Sequence, residues 1–164
     1  NTRLVGSEMC IRDRLILVMF MPWHIAQSDE DIGYKHYQKG DYEKALSVWK
    51  KELSLGQKVT IYNIGLLYFF GKGVKQDLSL AFEYCQKAAL MGSARAQNNI
   101  AYMYIEGLGT ERNYVAAYAW SEIAIENGYN SQKIKDDASI HLTPAMRYDA
   151  DEIINSLRKE ISYD

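Results

Sequence analysis

Cysteine is nearly absent: Cys10 and Cys85 are the only two in the chain. So small a number cannot staple a disulfide scaffold, and the fold must be held by packing. Histidine is scarce as well, at His24, His36 and His141. None of them stands with further donors at metal-ligand spacing, where a zinc site needs three or four. Basic residues do not exceed acidic ones, with 19 Lys and Arg against 21 Asp and Glu. Without a basic stripe there is nothing to displace the counterions of a polyanion, which excludes nucleic acid as the expected partner. The apolar run from Leu15 to Trp23 falls well short of the roughly 20 residues that cross a bilayer, so no stable membrane span is expected.

The first 28 residues differ in texture from the rest. Residues 1–14 begin without Met and carry no apolar periodicity, and SEMCIRDR reads as translated sequencing-adaptor sequence. Cys10 and its neighbours are therefore expected to be non-native. Residues 15–28 follow Arg14 with the apolar run and end in Ala26-Gln27-Ser28, small residues at the first and third places. That is the pattern of a signal peptide cleaved after Ser28, which would place the protein in the periplasm or outside the cell. The competing reading is an N-terminal amphipathic helix packed on the first repeat, and then a cytoplasmic protein. Setting these residues aside removes three basic and two acidic side chains, so the formal charge becomes −3 and Cys85 is the one remaining thiol.

What the chain does have is a period. Asn63, Gly65, Tyr68, Gly71, Gly73, Ala81, Tyr84, Ala88 and Gly92 return as Asn99, Ala101, Tyr104, Gly107, Gly109, Ala117, Trp120, Ala124 and Gly128, always 36 residues later. A fixed spacing of this size marks units that cannot bury their apolar faces alone and must stack on like neighbours. Extended backwards, the same ruler joins Ala45 to Ala81 and Gly56 to Gly92. The repeat domain, residues 29–164, is thus expected to hold units over 31–58, 59–94 and 95–130, with capping helices over 131–164. The first unit has a short turn, Tyr37 to Asp41, where the second has the longer Tyr68 to Asp77.

Each unit reads as helix, loop, helix. Asp41, Asp77 and Asn113 stand four residues before Ala45, Ala81 and Ala117, placed to accept from the free N–H groups of a second-helix first turn. Gly56, Gly92 and Gly128 stand at the far end as C-caps. Gly65 or Ala101 on the first helix, with Ala81 or Ala117 on the second, let the two approach closely. Tyr68, Tyr104, Tyr84 and Trp120 are expected to fill the space between successive hairpins. Beyond Gly128, Lys133, Ile134, Ala138, Ile140 and Leu142 give one more helical face. Thr143-Pro144 then announces a last helix, about Ala145 to Ile161, with Met146, Ala150, Ile153, Ile154 and Leu157 on one side. A one-sided final helix is what a terminal cap needs.

YNIGLLYFFGKGVKQDLSLAFEYCQKAALMG and NNIAYMYIEGLGTERNYVAAYAWSEIAIENG resemble the Sel-one-like repeat family, relatives of the tetratricopeptide repeat with a longer inter-helix loop. GDYEKALSVW resembles a plain tetratricopeptide unit, and LTPAMRYDADEIINSL the terminal helix that closes bacterial members. The resemblance implies an all-α fold, a right-handed α-α superhelix of helical hairpins with a C-terminal capping helix. It implies a non-enzymatic interaction module, with no cofactor, that takes a protein or peptide on a concave face lined by the first helices. Carried onto this chain, that face is Asp31, Lys35 and Gln38, then Tyr62, Leu66 and Phe69, then Asn98, Tyr102 and Ile105. The other reading of Leu66, Phe69 and Ile105 is plain core. A cysteine-rich branch of the family, with a disulfide in each repeat, is linked to penicillin binding and weak hydrolysis, and suggests as an alternative a cell-wall-associated hydrolase. This chain departs from that branch, because Cys85 has no partner and Ser121 stands at its repeat equivalent.

Other chemistry fails on its motifs. Gly71-Lys72-Gly73 lacks the remaining glycine and the Lys-Ser/Thr of a phosphate loop and follows a helix. Its recurrence as Gly107-Leu108-Gly109 assigns the glycines to the turn. His36 and His141 are expected at surface or cap positions, and Cys85 as a buried inert thiol. The acidic residues Asp136, Asp137, Asp149, Asp151 and Glu152 are expected to be solvated charge.

Overall fold

The computed structural model describes residues 32–161. The segments read as non-native over 1–14 and as a signal peptide over 15–28 lie outside the described residues, as does Asp31. Among the described residues there is no strand. The helices are α1 (Ile32–Gln38), α2 (Tyr42–Glu52), α3 (Lys58–Phe70), α4 (Leu78–Leu90), α5 (Ala94–Glu106), α6 (Tyr114–Glu126), α7 (Gln132–Ser139) and α8 (Pro144–Glu160), with a 3-10 turn at Leu53–Leu55. Each helix from α1 to α6 packs on the next, and α6 carries both α7 and α8. The result is an all-α repeat solenoid.

The caps follow the repeat, with one exception. The Asp77 carboxylate accepts from the Leu80 N–H at 2.9 Å and the Asn113 side chain from the Ala116 N–H at 3.0 Å. Asp41 makes no such bond. Its carboxylate lies 3.4 Å from Lys44 Nζ and 3.7 Å from His36 Nδ1 instead. The short first turn already closes itself, since the Lys39 and Asp41 N–H groups both donate to the His36 carbonyl. Ser93 and Thr143 cap α5 and α8, accepting from Ala96 and Met146.

The long loops repeat atom for atom. Asp77 N–H donates to the Tyr68 carbonyl as Asn113 N–H donates to that of Tyr104, and Lys72 to Leu67 as Leu108 to Met103. Two glycines make these loops possible for a reason beyond the turn itself. Gly73 (φ +68°) lies on the backbone of Tyr42 and Glu43, where a Cβ would meet the Tyr42 carbonyl carbon at 2.7 Å. Gly109 (φ +70°) lies on Leu78 and Ser79, where a Cβ would sit 2.0 Å from the Leu78 carbonyl oxygen. Each loop thus rests on the start of the preceding unit's second helix, and no side chain fits between. Gly109→Ala is expected to cost about 2–4 kcal/mol, adding overpacking against backbone to a left-handed conformation. Urea unfolding checks it, and a variant within about 0.5 kcal/mol of wild type, the range of an indifferent surface change, would contradict this contact.

The interior runs from unit to unit. Ala45, Ala81 and Ala117 are all at 0% exposure, and a Cβ on Gly65 would meet Cys85 Sγ at 3.1 Å, so α3 and α4 do approach closely. In the first unit Trp49 occupies the register of Cys85 and Ser121, and it fits because Gly33 leaves room: a Cβ there would lie 2.2 Å from Trp49 Nε1. The aromatic rings follow expectation at Tyr104 and in part at Tyr68, whose Oη accepts from Lys50 Nζ of the first unit at 2.9 Å. Tyr68 and Tyr84 stack on each other at 5.9 Å within one hairpin, and it is Phe82 that meets Tyr104 edge-on at 5.2 Å across the boundary between units. Lys72 pins its loop to the first unit, donating to Tyr37 Oη at 2.7 Å and lying over the rings of Tyr37, Tyr42 and Phe70.

At the C-terminal end Ala150, Ile154, Leu157 and Ile161 are buried. Arg158 forks onto Glu126, Lys135 pairs with Glu122, and Lys135 and Arg147 each lie over the Tyr118 ring at 5.4 Å. The face expected before Thr143 is narrower than expected. Ile134 and Ala138 are buried, but Lys133 and Ile140 are exposed, because neighbouring positions on a helix lie about 100° apart and α7 ends at Ser139.

Candidate partner-binding face

The first helices of the second and third units are α3 and α5, and their sequences differ in kind. In α3 every residue from Thr60 to Leu67 is buried, the behaviour of a helix whose apolar residues run all the way round. In α5 burial is continuous only from Ala96 to Ala101, after which Tyr102, Tyr104, Ile105 and Glu106 are part-exposed.

The positions expected on the concave face therefore separate. Tyr62 and Leu66 are 1% exposed, Phe69 6% and Asn98 4%. Tyr62, Leu66 and Phe69 belong to the hydrophobic core, which corrects the reading of an aromatic groove at this unit: these side chains are packed inside rather than presented on an open face. Lys35 and Gln38 are exposed on α1, and Tyr102 and Ile105 are part-exposed one turn apart on α5. Of the expected positions among the described residues, only these four on α1 and the C-terminal half of α5 are accessible.

Below this face lies a buried polar junction that pattern reading missed. Gln97, Asn98 and Asn99 are consecutive and all buried. Gln97 Nε2 donates to the Ala89 carbonyl at 3.0 Å, and its Oε1 accepts from Asn127 Nδ2 at 2.8 Å. Asn98 Oδ1 accepts from the Ser131 hydroxyl at 2.8 Å, and Asn99 Nδ2 donates to Tyr62 Oη at 2.8 Å. The three side chains reach the unit before, their own unit and the segment after, so they fix the order of stacking in a way that apolar contact does not. The available signal was the run of three amides in the middle of a helix. Burial pushes the Tyr62 phenol above its ordinary value, with the Asn99 hydrogen bond and Arg95 acting the other way. Tyr62 is therefore a protonated structural group.

Reactive groups sit elsewhere. Cys85 is a free thiol at 0% exposure, and burial pushes it up to about 12, as expected of an inert buried cysteine. His141 is exposed and stacks on Tyr114 at 4.0 Å, and His36 is half-buried beside the first turn. Asp136, Asp137, Asp149, Asp151 and Glu152 are all exposed. Among the described residues no cluster of His, Cys, Asp and Glu is placed to hold a metal ion, and no helix is long and apolar enough to cross a membrane.

Comparison with known proteins agrees with this architecture. The family described as Sel1 repeat matches residues 60–93 and 94–129. Among curated relatives, the ERAD-associated E3 ubiquitin-protein ligase component HRD3B of Arabidopsis thaliana is 29% identical over 91 residues, covering 54% of this chain and 14% of that protein. Protein sel-1 homolog 2 of Mus musculus is 34% identical over 73 residues, covering 44% of this chain and 11% of its own length. Among solved structures, c5321, a protective antigen of uropathogenic Escherichia coli with an SLR fold, superimposes with a TM-score of 0.75 at 28% identity over 80% of this chain and 29% of that one. A Sel1 repeat protein from Oxalobacter formigenes gives 0.54 at 32% identity over 57% of this chain and 27% of its own. The chain spans less than a third of each of these proteins.

Proposed function

Because residues 60–129 are two tandem Sel1 repeats within an all-α solenoid, we propose that the protein is a non-enzymatic adaptor that holds a protein or peptide partner against its first-helix face. The observation that carries this reading is the exposure of Tyr102 and Ile105, one turn apart on α5, above a core that the adjoining units hold rigid. A partly exposed Tyr and a neighbouring aliphatic on a preorganised helix supply contact area at little cost in ordering. The matched HRD3B protein is by name a component of a ligase assembly, which is the same kind of role. The export signal read in residues 15–28 would place the encounter in the periplasmic or extracellular space. The alternative of a cell-wall hydrolase on the cysteine-rich pattern has little to rest on, since Cys85 is a buried free thiol.

A Tyr102→Ala/Ile105→Ala double variant is expected to lose roughly tenfold or more in partner capture, the scale of a hot-spot loss. Changes at the exposed second-helix residues Lys51 and Glu83 are expected to leave capture unaltered. Equal capture by the double variant and the wild type would remove the first-helix face from the proposal.

A further inference from the structure

A notch of about 530 Å³ opens beside α2, lined by Glu43, Leu46, Ser47, Lys50 and Lys51 and by Gly73 of the loop that follows α3. The 36-residue offset carries Leu46 onto Phe82. One unit later, that phenyl ring reaches across the boundary and meets Tyr104 edge-on at 5.2 Å. In the first unit the counterpart of Tyr104 is Tyr68, and what reaches it from α2 is the Lys50 ammonium, 2.9 Å from Tyr68 Oη. Leu46 has no ring to place there. The notch is therefore of a kind that an aromatic side chain fills, and the chain's own second unit supplies the template.

The last helix presents such a ring. Tyr148 on α8 is 67% exposed, and among the described residues its side chain makes no hydrogen bond or ring contact. An accessible Tyr is a common anchor of protein interfaces, because it brings a large apolar area with a polar tip. Asp151 and Glu152 stand three and four residues further on, over the same side of the helix, and both are exposed. Arg147 and Arg158 of α8 are held elsewhere, by Ser139 and Glu126. The notch has the reverse balance, with Lys50 and Lys51 against Glu43. Neither Lys51 nor Glu152 takes part in an ion pair among the described residues.

We propose that Tyr148 of one copy of the chain docks in the α2 notch of a second copy, with Glu152 facing Lys51. The ring takes beside Leu46 the place that Phe82 takes at the next boundary, and the acidic turn of α8 meets the basic end of α2. The two patches are different surfaces, one on the first hairpin and one on the last helix, so the contact is head-to-tail. Such a contact does not stop at a pair: it closes into a ring or runs on as a row. It uses none of the first-helix positions and stands whether or not Tyr102 and Ile105 hold a partner.

Sedimentation velocity of the full chain is expected to show species larger than the monomer, whose share rises over a roughly hundredfold range of concentration and falls as salt is raised. Tyr148→Ala removes an exposed ring and spares the core. Leu46→Phe fills the notch as Phe82 fills its own place. Each variant alone is expected to stay monomeric, and the two mixed in equal amounts to pair and stop at the dimer, because only one sound notch and one sound ring remain. Lys51→Glu sets two carboxylates face to face and is expected to weaken association roughly tenfold, with Glu152→Lys in the same chain restoring it. Circular dichroism checks the fold of each variant, and Lys51→Glu replaces Leu46→Phe in the mixture if the larger side chain unfolds α2. A wild type that is monomeric at every concentration, association undiminished by Tyr148→Ala, or a mixture of folded variants that stays monomeric would overturn the proposal.

Discussion

Trp49→Ala is expected to remove about 3–5 kcal/mol of stability, and to remove it from one end of the molecule. Trp49 is at 0% exposure. The Tyr37 ring lies 6.3 Å from it, and Gly33 leaves the space its indole fills. Once the indole is gone, Gly33 has no side chain and Ala45 only a methyl with which to close the gap, so the cavity persists. In a stack where each unit touches mainly its neighbours, damage to the first hairpin spreads weakly. Hydrogen exchange is expected to show protection lost over α1 and α2 while α5 and α6 keep theirs. A variant that melts with the wild type, or that loses protection evenly along the chain, would contradict this arrangement.

Trp120→Ala is expected to cost a similar amount, about 3–5 kcal/mol, with the opposite distribution. Trp120 is 4% exposed on α6, the helix on which α5, α7 and α8 all pack. A cavity there undermines the second Sel1 repeat and its cap together. Protection is expected to fall from α5 through α8, with a midpoint lowered by roughly 10 °C or more for a chain of this size. Trp120→Phe keeps most of the buried ring and is expected to recover much of the loss. A near-neutral melting temperature for Trp120→Ala would mean that the register read from the 36-residue offset is misplaced.

The contrast between the two tryptophans shows what could be read from residues alone. The offset placed Trp120 in register with Tyr84, and it placed the caps Asp77 and Asn113 because local spacing decides a cap. Gly92 and Gly128 followed for the same reason, and both have positive φ. Asp41 failed as a cap, its carboxylate facing His36 and Lys44 across the tight turn instead. Tyr62 and Leu66 were assigned by analogy to an open face, yet they are core. Whether a helix is enclosed on three sides or four depends on its neighbours, and periodicity within the helix does not report that. Gln97, Asn98 and Asn99 bond to residues from Tyr62 to Ser131, partners far apart in sequence that only the fold brings together. The close seating of Gly109 on Leu78 was likewise hidden, since a turn glycine and a contact glycine look alike in a sequence.

These differences narrow the surface proposed for partner binding. An aromatic groove spread over all first helices is replaced by a smaller accessible region: Lys35 and Gln38 on α1, and Tyr102 and Ile105 on α5. The buried amides beneath it hold α5 in place relative to both neighbours, so on the proposed reading a partner would meet a surface already ordered before contact.

Site-specific photo-crosslinking tests the central claim most directly. A photoreactive side chain at position 102 on α5, and another at position 83 on the exposed side of α4, are activated in the presence of the protein's native partners. The first-helix account predicts a discrete crosslinked species from position 102 and little or none from position 83. Crosslinking confined to position 83, or equal at both, would contradict it.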